Sequence, residues 1–223
     1  MLFGNRAGLL GIVGREQAHA QSRFPDPSTC IDSRPQGKAE VGSNRSALQP
    51  ACVDQRSHAD VSFDRAAADK LAGGGDSLLD DVLDRARVLT AAEMLGMAQQ
   101  VFDTTLDYLK QRVQFNQVLA TFQALQHRMA DLFADLAQMR SAVEAGLQAV
   151  DGGYGVARAA VVAKAEANRV LHVISNQGIQ LHGGIGMTDE YDVGLYMKRD
   201  RALQEFLGDQ YYHAGRVAEL SGY

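Results

Sequence analysis

The sequence predicts an all-α protein, an antiparallel four-helix bundle behind a disordered amino-terminal leader. Apolar residues recur at helical spacing from residue 78 to the end. All four prolines (Pro25, Pro27, Pro35, Pro50) and both cysteines (Cys30, Cys52) lie in the first 52 residues. Beyond them the chain becomes rich in Ala, Leu, Gln and Met, without alternating β-branched runs, so the long segments read as helices joined by short connections.

Residues 1–57 form the expected leader, disordered or non-native. They hold seven basic and five acidic residues, and so carry +2 against −7 for the remainder. The opening "MLFGNRAGLLGIVGREQAHAQ" has Arg6, an apolar run over 7–14 and an Ala-His-Ala. Arg15 and Glu16 cut that run to about the minimum for a signal peptide, so no secretory signal is expected and the protein is placed in the cytoplasm. Nothing in the segment holds the two cysteines together, and reduced thiols are expected. Residues 58–77 read as a linker before the helices.

The first apolar stripe runs through Leu79, Val82, Leu83, Ala86 and Leu89, then Ala92, Leu95, Gly96, Gln99, Phe102, Leu106 and Leu109. The second runs from Phe122 through Leu125, Met129, Leu132, Leu136, Met139, Val143 and Leu147 to Val150. There "DGGYG" at 151–155 supplies a helix stop. The third covers 156 to about 181, with Ala-rich positions that let helices approach closely. A fourth begins near Thr188, an N-cap candidate followed by acidic residues. It breaks around Leu207, Gly208 and Asp209 before a last helix to Leu220.

A hydrophobic content of 46% with 22% charged residues suits a buried core. A net charge of −5 gives no general attraction to nucleic acid or anionic lipid. No apolar window of about 18 residues offers a membrane span. The six histidines show no metal-ligand spacing, and Met94, Met97, Met129 and Met139 read as packing.

Three separated stretches carry chemistry: "RVQFNQVLATFQALQHRMADL" (112–132), "QLHGGIGMTDEY" (180–191) and "RDRALQEFLGDQ" (199–210). In identity, order and separation they resemble the carboxy-terminal helical domain of the acyl-CoA dehydrogenase family, over about residues 57–223, with the part before Leu78 similar to the tail of that family's middle β-domain. The resemblance implies FAD, an acyl-CoA substrate undergoing α,β-dehydrogenation, and a homo- or hetero-oligomeric dimer of dimers sharing FAD across subunits. It places Arg112, Gln114 and Phe115, then Phe122 and Gln123, at the cofactor. A pyrophosphate suits a bidentate guanidinium and backbone N–H groups. Gln180, Gly183 and Gly184 match the segment that reaches a neighbouring subunit's FAD, where bare backbone permits close approach and φ > 0. Asp84 and Arg87 of "DRAR" match a substrate-side motif.

The family's catalytic base is a glutamate. Its position falls here on Gly208, and an alternative position on the first helix falls on Ala86. Asp209, Glu205 and Glu93 are the nearby carboxylates left as candidates. The resemblance therefore implies a fragment or a non-catalytic partner subunit, and independent catalysis is not expected. "GDQYYH" is similar to actinobacterial members acting on bulky, steroid-like CoA esters. The competing reading is an orphaned helical bundle acting only through protein–protein association.

Overall fold

The structure is a computed structural model that describes residues 38–40, 45–48, 52–54, 56, 60–63 and 75–223. The chain divides into two units, Met1–Val82 and Leu83–Tyr223. In the first, strands β1 (Lys38–Glu40), β2 (Arg45–Leu48) and β3 (Asp60–Phe63) form an antiparallel sheet in that order. Lys38 pairs with Leu48, and Arg45 with Phe63. Two of these strands, β1 and β2, fall within residues 1–57, where disorder was expected. The rest of that expectation lies outside the described residues.

The helical region consists of α1 (Asp76–Gln111), α2 (Gln123–Gly152), α3 (Val156–His182), α4 (Val193–Glu205) and α5 (Gln210–Leu220). Side-chain neighbours give the directions. Val88 of α1 meets Gly146 of α2 while Phe102 meets Phe133, so these helices run antiparallel. Asp135 of α2 pairs with Arg169 of α3, and Gly146 lies against Ala163. Ser175 of α3 bonds Asp200 of α4, and Lys164 bonds Leu203. The result is an up-down-up-down bundle whose fourth member continues into α5.

The core is small-residue rich where helices approach closely and Met- or Leu-filled elsewhere. Ala91, Met94, Ala98 and Val101 of α1 meet Met129, Leu136 and Met139 of α2 and Ala163, Ala167, Val170 and Ile174 of α3 in one cluster. The α2 stripe emerges as read, and that of α1 does so only in its second half, where Phe102 and Leu109 are buried and Leu95 and Leu106 pack against the core. The most buried face of α1 is Val88, Ala91, Met94, Ala98 and Val101, whereas Leu89 is 62% exposed and Val82 53%. This helix has two apolar faces, and the one that fits between close neighbours carries Ala and Val rather than Leu.

Helix ends follow the local chemistry. Gly153 at φ 70° closes α2. Thr188 does not open α4, as expected from sequence. Its hydroxyl donates to Ile185 O at the end of the 3-10 turn Gly183–Met187, and the helix starts five residues later behind Asp192.

Candidate functional site

Two clusters of polar side chains lie at different levels of the bundle. The first is built where α1 and α3 end. Arg112 follows the last residue of α1, and its backbone N–H donates to Tyr108 O at 2.9 Å. The chain then makes a two-residue hairpin, β4 (Val113–Gln114) to β5 (Gln117–Val118), turning at Phe115 (φ 52°) and Asn116 (φ 62°). Two left-handed residues make a type I′ turn. Asn tolerates that conformation, while a bulky aromatic is strained in it. The ring of Phe115 is nonetheless 84% exposed, and it meets Phe122 edge-on at 6.2 Å between centroids. The two halves of the motif at 112–123 are thereby brought together.

Gly183 ends α3 with φ 69° and ψ −146°, a conformation essentially reserved for glycine. Nothing lies within 4 Å of the point where a Cβ would sit on Gly183 or Gly184. The preceding residue, His182, is buried, and its Nδ1 bonds Gly178 O at 2.8 Å. Burial holds its pKa below the ordinary histidine value, so the neutral ring donates through Nδ1–H. Tyr108 stacks on this ring at 4.3 Å and 23°, and its hydroxyl donates to His182 O at 3.2 Å. Tyr191 closes the group edge-on to Tyr108 at 5.5 Å. Arg112 and the Gly183–Gly184 pair therefore stand at the same end of the bundle, joined through Tyr108 and His182.

This end fits a dinucleotide's diphosphate. Arg112 is exposed and makes no ion pair with another described residue, and the glycine backbone is unobstructed. Gln114, Gln123 and Gln180 are exposed around it, each with an amide available to a polar ligand.

The second cluster surrounds the break between α4 and α5. Asp84 and Arg87 form a buried ion pair at 2.5 Å. Arg87 also donates to Leu207 O at 3.2 Å and to the Tyr212 hydroxyl at 3.3 Å. Lys164 of α3 is fully buried, and its ammonium donates to Asn168 Oδ1 (2.6 Å), Leu203 O (2.9 Å) and Gly208 O (3.3 Å). Burial, with Arg87 close by, pulls its pKa down to about 7. His213 is likewise buried, and burial together with the charges of Lys164 and Arg87 lowers its pKa to about 3. These side chains grip a turn in which Leu207 (φ 63°) and Gly208 (φ 111°) are both left-handed.

Of the carboxylates weighed as bases, Asp209 and Glu205 flank this turn and Glu93 lies on α1, and the structure shows what two of them do. Asp209 is the N-cap of α5, accepting from Tyr212 N–H at 2.6 Å. Glu93 pairs bidentately with Arg199 at 3.0 and 3.2 Å, tying α1 to α4. Glu205 is exposed at the end of α4. Position 208 itself is closed to a side chain. A Cβ there would stand 2.4 Å from the Tyr212 ring and 3.0 Å from His213 Nε2. The Asp84–Arg87 pair, expected on the substrate side, is buried and holds the turn.

In the last motif Arg199 and Asp200 both lock α4 in place. Asp200 is fully buried, accepts from Ser175 (3.1 Å) and Gln204 (2.9 Å), and burial raises its pKa. Sequence reasoning missed Tyr108, Lys164, Asn168 and His213. Lys164 and Asn168 were detectable, since they fall on the buried stripe with Ala160, Ala163, Ala167 and Leu171, where a lone lysine breaks the apolar pattern. Tyr108 carried a weaker signal, standing one turn before Arg112.

Comparison with known proteins follows the same lines. The family model described as "Acyl-CoA dehydrogenase, C-terminal domain" matches residues 73–221. "Acyl-CoA dehydrogenase IpdE2" of Mycolicibacterium smegmatis is 36% identical over 150 residues, covering 66% of this chain and 47% of that relative. The solved "Tcur3481-Tcur3483 steroid ACAD G363A variant" superposes with a TM-score of 0.75 at 30% identity, over 80% of this chain and 48% of that one. The ChsE4-ChsE5 complex from Mycobacterium tuberculosis shares the fold at a TM-score of 0.72 and 21% identity, over 81% of this chain and 50% of that one. The chain spans about half the length of the relatives it matches.

Proposed function

Because the chain belongs to the acyl-CoA dehydrogenase family, we propose that it is the FAD-contacting and oligomer-forming component of such an enzyme, acting in α,β-dehydrogenation of an acyl-CoA thioester without supplying the base. One observation carries this. Arg112 and the Gly183–Gly184 backbone stand at one end of the bundle, tied together through Tyr108 and His182.

Arg112 would take the diphosphate of a FAD held mainly by a partner subunit, with Gln114 and Gln123 beside it and Phe115 and Phe122 as an apolar wall. Gln180, Gly183 and Gly184 would approach the same cofactor from the end of α3. When bound, FAD accepts the substrate's β-hydrogen as hydride. The chain's own residues bind and orient it through guanidinium, amides and bare backbone.

Removing the α-proton needs a carboxylate held near the thioester. Gly208 and Ala86 stand at the two positions where the family carries one, and Asp209 and Glu93 are otherwise engaged. A non-catalytic subunit beside a base-bearing partner accounts for both facts. The likeness to a steroid ACAD at 30% identity supports a bulky, ring-containing acyl group as the substrate class.

Co-expression with the protein encoded beside it, followed by flavin absorbance of the purified complex, tests this reading. Flavin is expected in the complex, and Arg112→Ala should weaken its retention about 10- to 100-fold, as loss of a charge-assisted bidentate contact does. A colourless complex, or one indifferent to Arg112→Ala, would instead favour a bundle that acts only by association.

A further inference from the structure

We propose that Tyr108 is a positioning residue that sets the spacing between the two cofactor-binding elements, so that Arg112 and Gly183–Gly184 act as one site. The proposal rests on the cofactor reading above and adds a residue to it.

The geometry begins with helix approach. At Gly178 a Cβ would stand 2.7 Å from Val101 Cγ1 and 3.4 Å from Thr105 Oγ1, so the backbone of α3 lies directly against side chains of α1 in its last turns. One turn further along α1, Tyr108 meets the last turn of α3. The final carbonyls of a helix have no partner within it. Here the carbonyl of His182, the last residue of α3, accepts the Tyr108 hydroxyl at 3.2 Å.

The same tyrosine engages the other element through its backbone. Its carbonyl accepts the N–H of Arg112 at 2.9 Å, and Arg112 O in turn accepts from Leu119 N–H at 2.9 Å, closing the base of the hairpin. One residue is thus hydrogen-bonded to the first residue of the hairpin segment and to the residue immediately before Gly183. The first continues the i→i−4 pattern of α1, and the second reaches across to α3 over 74 residues of sequence. No flexible side chain intervenes between Tyr108 and either backbone.

The ring contacts make the link rigid. Tyr108 stacks on His182 at 4.3 Å, and Tyr191 packs edge-on against Tyr108 and tilted against His182 at 4.9 Å. The His182 ring cannot turn freely, because its Nδ1 is bonded to Gly178 O. Its Nε2 is buried without a hydrogen-bond partner among the described residues. That lone pair is tolerated beside the aromatic rings, and the Tyr108 hydroxyl is left to the carbonyl. Tyr108 touches no reacting atom in this scheme. It fixes where the guanidinium and the glycine backbone stand relative to one another.

The test is an NMR titration of the full-length, isotope-labelled chain with ADP and, separately, with FAD, reading the Arg112 Nε–H and the Gly183 and Gly184 amides. In the parent chain all three signals are expected to move with one dissociation constant. Tyr108→Phe keeps the stack and removes only the hydroxyl. It should raise that constant about fivefold, the loss typical of one neutral hydrogen bond, and shrink the glycine shifts more than the Arg112 shift. Thermal unfolding without ligand separates this from a purely structural role, which would lower the midpoint and leave the constant unchanged. An unchanged constant in Tyr108→Phe, with Arg112 still responding, overturns the positioning role alone. Absence of any response to ADP or FAD in the parent overturns this inference, whereas the cofactor reading stands or falls separately on the flavin content of the co-expressed complex.

Discussion

The two polar clusters differ in how they hold strained backbone. Arg87 and Tyr108 are 21 residues apart on α1, so the clusters lie about 30 Å apart along its axis. At the α4–α5 turn, Leu207 and Gly208 are left-handed and held from inside by Arg87, Lys164 and Asn168, all buried. At the other end Phe115, Asn116 and Gly183 are left-handed and face outward, with exposed side chains or none. Strain held by buried donors is part of the scaffold. Strain presented to solvent, beside an exposed arginine, is where a ligand gains from it.

If the α4–α5 turn is a fixed anchor, altering it should cost most. Gly208→Glu puts a side chain where the Tyr212 ring already stands and strains φ. It should lower the unfolding free energy by about 3 kcal/mol and yield no dehydrogenase activity. Denaturant midpoints with a substrate assay check both halves. Recovery of activity at unchanged stability would show that the turn is still an open catalytic position.

Lys164→Met should cost about 2 kcal/mol at neutral pH, because the Leu203 carbonyl and Asn168 Oδ1 lose a donor. Its pH signature is more specific. Lys164 is lowered to about 7 in the fold, while the unfolded chain keeps its proton to near the ordinary lysine value. Between pH 7 and about 10 the unfolded state therefore binds more protons, and stability rises with pH by up to about 1.4 kcal/mol per unit. Unfolding curves across that range should show this slope in the parent and a flatter one in Lys164→Met. His213 works on the acid side. Its folded pKa of about 3 means the unfolded chain protonates first as pH falls below about 6.5. Stability should fall from there toward pH 3, and His213→Gln should lessen the fall.

The outward-facing end should respond the other way, losing ligand affinity more than stability. Gly183→Ala forces a Cβ into a glycine-only conformation and is expected to cost about 1–2 kcal/mol in unfolding free energy together with a measurable loss of FAD affinity. Phe115→Gly is the mildest change. It relieves a left-handed aromatic, so the unfolding midpoint should rise slightly or hold, by less than about 1 kcal/mol, while FAD binding weakens. A fall in stability with unaltered binding would place Phe115 in the scaffold.

This contrast also explains what was legible in the sequence. Bundle, helix breaks and exposed motifs could be read because they depend on local signals: the Met and Leu spacing of α2, the glycines at 152, 153 and 155, the Arg-x-x-Phe and Gly-Gly stretches. The buried clamp could not. Asp84 and Arg87 are three apart on one helix, which from sequence is as compatible with a substrate contact as with a buried pair. The burial of the pair comes from the approach of Leu207 and Tyr212, about 120 residues away, which no local pattern announces. The first half of the α1 face, with Val82 and Leu89, failed for a related reason. Its Leu stripe has the stronger periodicity, but close packing against α2 and α3 selects the Ala and Val face. Tyr108 was overlooked because its importance lies in a bond to the end of α3, 74 residues on.

The central claim is that Arg112 and the glycine pair serve one diphosphate. It is tested most directly by a double-mutant cycle on FAD affinity in the assembled complex, using Arg112→Ala, Gly183→Ala and the combination. If both elements hold one FAD, each single substitution should weaken FAD binding, and because Tyr108 ties them into one site the combined loss should fall short of the product of the single losses by about fivefold, some 1 kcal/mol. A single substitution at either element that leaves FAD affinity unchanged to within about 0.3 kcal/mol would mean that this element does not serve the same cofactor, and would contradict the account.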